Sequence, residues 1–81
     1  MIYYRTDPRN RMILDIYHNG KMKAAIMPVY DAVRDGYLLQ LSGSGYKATD
    51  PQYVCFHREG TFKLFRNVDR ALKHVQEVYG R

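Results

Sequence analysis

The chain has 81 residues, 46% of them hydrophobic and 26% charged, with a formal net charge of +5 and a pI near 9.5. At roughly 100–200 residues per domain this is one domain, too short for a (β/α)8 barrel, a dinucleotide-binding fold or a multidomain enzyme. A domain of this size buries only about 60–65% of its unfolded surface, so modest stability and help from a partner or a second copy are expected.

A single cysteine, Cys55, excludes an intramolecular disulfide, and its solitude favours a reducing, cytoplasmic setting. The start, Met1 to Arg5, has no apolar core of signal-peptide length. No apolar run approaches the ~20 residues of a membrane span, so no membrane association is expected. Eight tyrosines and three phenylalanines form a high aromatic load, suited either to filling a small core or to an interface. The charge is uneven: residues 1–23 carry net +3, residues 24–57 net −1 and residues 58–81 net +3.

Residues 11–18 admit two readings. Asp7-Pro8 resembles a helix start and Asn19-Gly20 a helix stop. Ile13, Leu14, Ile16 and Tyr17 are also good strand residues, and Asn19-Gly20 is a strong hairpin signal with 21–27 as the return strand. The hairpin is favoured. A short helix follows near 28–35, with Pro28 in its first turn and Gly36 as its stop. Tyr37 to Leu41 reads as a strand, and 42–51 as a loop rich in Gly, Ser, Asp and Pro.

Residues 53–58 and 61–66 read as a β-hairpin around Glu59-Gly60. With that two-residue loop, Tyr53, Cys55, His57, Phe62, Leu64 and Arg66 share one face, and Val54, Phe56, Arg58, Thr61, Lys63 and Phe65 the other. Both faces are half apolar, so helices on each side or a second chain should cover them. The final helix spans about 68–79, capped by Asn67 with Asp69 in its first turn. Val68, Ala71, Leu72, Val75, Val78 and Tyr79 face the sheet, and Arg70, Lys73, His74, Gln76 and Glu77 face out. The expected fold is α+β: a small antiparallel sheet of three to five strands with a short helix and a longer C-terminal one. Its core is Val54, Phe56, Leu64, Phe65, Leu72 and Val75, and a homodimer is a further expectation.

Few constellations carry chemistry. Cys55 and His57 share a strand face, a spacing open to a nucleophile pair, but no acid or amide is evidently placed to orient His57. One Cys and the widely spaced His18, His57 and His74 match no familiar metal spacing, so no metal and no cofactor are expected. Gly43 to Lys47 lacks the phosphate-loop pattern. No catalytic residue is assigned and no enzyme is expected.

The basic ends are the main functional signal. Arg5, Arg9, Arg11, Lys21 and Lys23 form one group. Arg58, Lys63, Arg66, Arg70 and Lys73 form the second and are the candidate nucleic-acid-binding residues. Tyr3, Tyr4, Tyr17, Tyr53 and Phe62 lie among them, and bases interleaved with aromatics can hold phosphates and stack on nucleobases. The chain carries no helix-turn-helix, zinc-finger or RNP signature.

The second half carries a further pattern: Gly36-Tyr37, Gly45-Tyr46 before Ala48 to Pro51, Tyr53-Val54, Gly60-Thr61-Phe62, then Phe65-Arg66-Asn67 with Asp69 and Ala71-Leu72. It resembles the small partition-associated proteins encoded on plasmids and integrative elements of proteobacteria, over residues 36–79. The resemblance implies a non-catalytic accessory to a mobile element's partition or regulation machinery. The expected partner is DNA or a nucleoprotein complex. A protein–protein adaptor or inhibitor, docking through its tyrosines on a host or plasmid complex, is the alternative.

Overall fold

The computed structural model describes residues 2–34 and 52–80. In chain order these form β1 (Ile2–Asp7), β2 (Asn10–His18), β3 (Lys21–Pro28), α1 (Val29–Arg34), β4 (Tyr53–His57), β5 (Phe62–Phe65) and α2 (Val68–Tyr79). The five strands make one antiparallel sheet in the order β1-β2-β3-β4-β5. The fold is therefore the small α+β type expected. The strand expected over 37–41 and the loop over 42–51 lie outside the described residues. No helix among the described residues is long and apolar enough to cross a membrane.

Asn19-Gly20 settles the ambiguous N-terminal segment as a hairpin. Both residues adopt positive φ, 53° and 80°. That pair of conformations twists a two-residue turn in the same hand as its strands. His18 then faces Lys21, and the pairing runs on to Leu14 opposite Ile26, with an irregularity after Ile16. Pro28 closes β3 opposite Tyr53 instead of opening the helix. Without an N–H it suits a strand end. The helix begins one residue later, where the Val29 N–H donates to the Gln52 carbonyl at 2.7 Å.

The β4–β5 hairpin differs from expectation by one residue. The His57 N–H donates to the Thr61 carbonyl at 2.8 Å, and the Gly60 N–H to the His57 carbonyl at 2.9 Å. The loop is thus Arg58-Glu59-Gly60, a turn ending on Gly60 at φ 109°. A one-residue slip moves every side chain of a strand to the opposite face. Cys55 pairs with Lys63, and Tyr53 with Phe65. Lys63 and Phe65 therefore stand beside Cys55 and His57, while Phe62 and Leu64 stand beside Val54 and Phe56.

Two cores result, one on each face. On one side α2 lays Ala71 and Val75 on Ile16, Ala24, Ile26 and Cys55, with Phe65, Leu72 and Tyr79 packed around them. On the other, Val29 and Ala32 at α1 join Ile13, Met27 and Val54, with Phe56 and Leu64 at the margin. The expected core residues divide between these clusters instead of forming one. Val78, expected against the sheet, is 47% exposed. Asn67 caps α2 as expected: from an extended backbone, its Oδ1 accepts the Arg70 N–H at 2.9 Å.

Candidate nucleic-acid interface and histidine cluster

Edge strand β5 and helix α2 flank an open groove of about 630 Å3. Lys63, Phe65 and Arg66 line it from the strand side, and Arg70, Lys73, His74 and Glu77 from the helix. The helical four recur at intervals of three, one and three residues, which is one face of an α-helix. Four of the candidate nucleic-acid residues thus come together: Lys63, Arg66, Arg70 and Lys73, all exposed. Among the described residues no ion pair engages any of the four. The Lys63 ammonium lies 5.8 Å from the centre of the Phe65 ring. Among the described residues, four cations and the single carboxylate of Glu77 give the lining net +3.

Arg58 stands apart. It sits on the β4–β5 loop, where its backbone N–H donates to the Lys23 carbonyl at 2.9 Å and its guanidinium reaches the Met22 carbonyl at 3.4 Å. It borders a smaller cleft of about 220 Å3 on the α1 side, shared with Asp7, Arg9 and Asp15. The N-terminal basic group is also elsewhere. Arg5 lies over the Tyr17 ring at 4.9 Å and donates to its hydroxyl at 3.0 Å. Tyr3 stacks on Tyr17 with centroids 5.3 Å apart. The expected face shared by Arg58 and Lys63 does not form, because the longer loop shifts β5.

Two carboxylates, Asp7 and Asp15, share the small cleft. The backbone N–H of Arg9, donating to Asp7 at 2.8 Å, holds that carboxyl below its ordinary range. Burial, together with the charge of Asp7, pushes Asp15 above it.

Beside the groove, β4 and α2 bring together side chains that are far apart in sequence. Cys55 and His57, two apart on a strand, project toward the helix. His57 Nε2 lies 3.0 Å from His74 Nε2 and 3.9 Å from Cys55 Sγ. His57 Nδ1 lies 2.6 Å from the Tyr79 hydroxyl, which reaches the Lys23 carbonyl at 3.4 Å. His74 was expected on the outward face but is half-buried, with its ring 5.2 Å from Phe65 as well. Burial, then the positive charges of His57 and Lys63, depress the His74 pKa. Burial raises the Cys55 thiol to about 11. That keeps Cys55 protonated at neutral pH, the opposite of what a nucleophilic cysteine needs.

The spacing rule that dismissed the three histidines is met in sequence but not in space. His57 and His74 converge, and His18, at the end of β2, is outside the cluster. One sequence signal could have found His74. It falls three residues after Ala71 and next to Val75, at the border of the apolar stripe, where a side chain can turn either way.

No protein-family model, curated protein or solved structure matches this chain.

Proposed function

We propose that this protein is a non-enzymatic nucleic-acid-binding module that holds a phosphate backbone in the groove between β5 and α2. One observation carries the reading. Lys63, Arg66, Arg70 and Lys73 come from two elements, line one groove and have no acidic partner among the described residues. Surface cations are normally interspersed with carboxylates, whereas a concave surface of one sign concentrates its field and favours a polyanion. The wider role, an accessory to partition or regulation in a mobile element, rests on the resemblance over 36–79 alone.

The test is fluorescence anisotropy of a labelled random duplex, and of a single strand, across a salt series. Binding that weakens with salt supports the reading, since each phosphate neutralised contributes about 0.9 to the logarithmic slope on duplex DNA. The triple variant Arg66→Glu, Arg70→Glu, Lys73→Glu should lose affinity and flatten the slope by about 3. Unchanged binding by the folded variant, or no binding by wild type at low salt, overturns the proposal.

A second reading is favoured by a different surface. Tyr3, Tyr17 and Met22 lie in register across β1, β2 and β3, and Tyr3 and Met22 are exposed at 46% and 39%. Such a row suits a protein partner. It predicts that Tyr3→Ala and Met22→Ala, but not the groove variant, release that partner in a pull-down.

A further inference from the structure

Cys55, His57 and His74 each offer one donor atom, a thiol sulfur and two imidazole nitrogens, all within 4.8 Å of one another. A tetrahedral zinc ion, with Zn–N of about 2.0–2.1 Å and Zn–S of about 2.3 Å, spaces two nitrogens about 3.3 Å apart and nitrogen from sulfur about 3.6 Å. The observed 3.0 Å between the nitrogens and 3.9 Å between His57 and Cys55 each lie about 0.3 Å from the matching value. The third edge, Cys55 to His74, needs to contract by about 1.2 Å at most. Side-chain rotation of His74, on the rim of the groove, can supply that motion.

The surroundings orient the donors. If the Tyr79 hydroxyl donates to the Lys23 carbonyl, its oxygen accepts the N–H at His57 Nδ1. His57 then carries a bare lone pair at Nε2, aimed at His74 Nε2. A neighbour that fixes the far nitrogen of an imidazole in this way is the usual outer support of a metal-bound histidine. The single lone pair at His57 Nε2 cannot fully accept from both His74 at 3.0 Å and the Cys55 thiol at 3.9 Å. A cation satisfies all three donors. On binding, Zn2+ displaces the Cys55 thiol proton to solvent. The resulting thiolate and two imidazoles are borderline-to-soft ligands, which favour Zn2+ over Mg2+ or Ca2+.

The geometry points to a Zn2+ site formed by Cys55, His57 and His74, with Tyr79 as the positioning residue behind His57. Three protein ligands leave a fourth position for water or an incoming donor. This site does not depend on nucleic-acid binding.

The experiment uses the untagged full chain, stripped with chelator and titrated with Co2+ and then Zn2+. The expected result is one equivalent of Co2+ bound, with a near-ultraviolet thiolate-to-cobalt band that Zn2+ displaces. Zn2+ should also raise Tm: at a free concentration about a hundred times Kd, the folded-to-unfolded ratio rises about a hundredfold. Cys55→Ser should abolish the thiolate band. His74→Gln and Tyr79→Phe, checked for fold by circular dichroism, should each weaken Zn2+ binding by at least about tenfold. Absence of the band in wild type, or wild-type affinity in both folded variants, overturns the proposal.

Discussion

Asp15 shows how a single side chain ties stability to pH. It keeps only 6% of its surface exposed and shares its cleft with the carboxylate of Asp7. Its pKa is raised in the fold, mainly by burial, from an ordinary value of 3.8. Above that ordinary value the folded chain therefore holds protons that the unfolded chain has released, and stability falls as pH rises to the raised value. Asp7 acts in the opposite sense. Its lowered pKa contributes stability above 3.8 that is lost on further acidification. Asp15→Asn removes the buried charge and offers Asp7 an amide donor. It should raise Tm at pH 7 by a few degrees, about what 0.5–1 kcal/mol produces in a domain this small. The advantage should vanish near pH 3, where wild-type Asp15 is already protonated. Thermal melts of both proteins across that range check it, and a less stable variant at pH 7 would count against this account.

At the scale of elements, the termini of helices and turns carry the specification. The Asn67 side chain holds one of the orphan N–H groups at the start of α2. Asn67→Ala should cost about 1 kcal/mol by urea titration, and Asn67→Ser should recover most of it. Both the α2 cap and the Asn19-Gly20 hairpin were legible in the sequence, because each depends on a few adjacent residues with strong conformational preferences. The β4–β5 loop was not. Gly60 can end either a two-residue or a three-residue connection, and nothing local chooses between them. That ambiguity placed Lys63 and Phe65 on the wrong side of the sheet. The inward turn of His74 was hidden for a related reason. Its helical position borders both polar and apolar faces, and only the arrival of His57 from β4 decides which it joins. The basic groove was half legible: the cations were evident, but Arg58 was grouped with them by sequence proximity alone.

Taken whole, the protein separates its surfaces. The sheet divides the α1 side, where Asp7 and Asp15 share a small cleft, from the α2 side with its basic groove. Among the described residues Glu77 is the one carboxylate in the groove lining. On the nucleic-acid reading it opposes the ligand, so Glu77→Gln should tighten duplex binding by about two- to fivefold at low salt. The gain should shrink as ions screen the site over a Debye length of about 10 Å at 0.1 M. Anisotropy titrations at two salt concentrations measure both effects. Weaker binding by this variant would show that the groove is not where the phosphates lie.

The order of strands across the sheet is also their order along the chain. That meander has a kinetic consequence. Each of the first two strand pairings joins neighbours through a short turn, so little chain entropy is spent before contacts form. The β2–β3 hairpin, closed by Asn19-Gly20, is the cheapest of these to assemble. β4 reaches β3 only after the chain between Val29 and Gln52 has closed a much longer loop. The β3–β4 pairing is thus the costliest in chain entropy and is expected to follow the local hairpins on either side of it. The groove and the histidine cluster, both built from the contiguous β4, β5 and α2, await that closure only for their contacts with β3, through Cys55 and Tyr79.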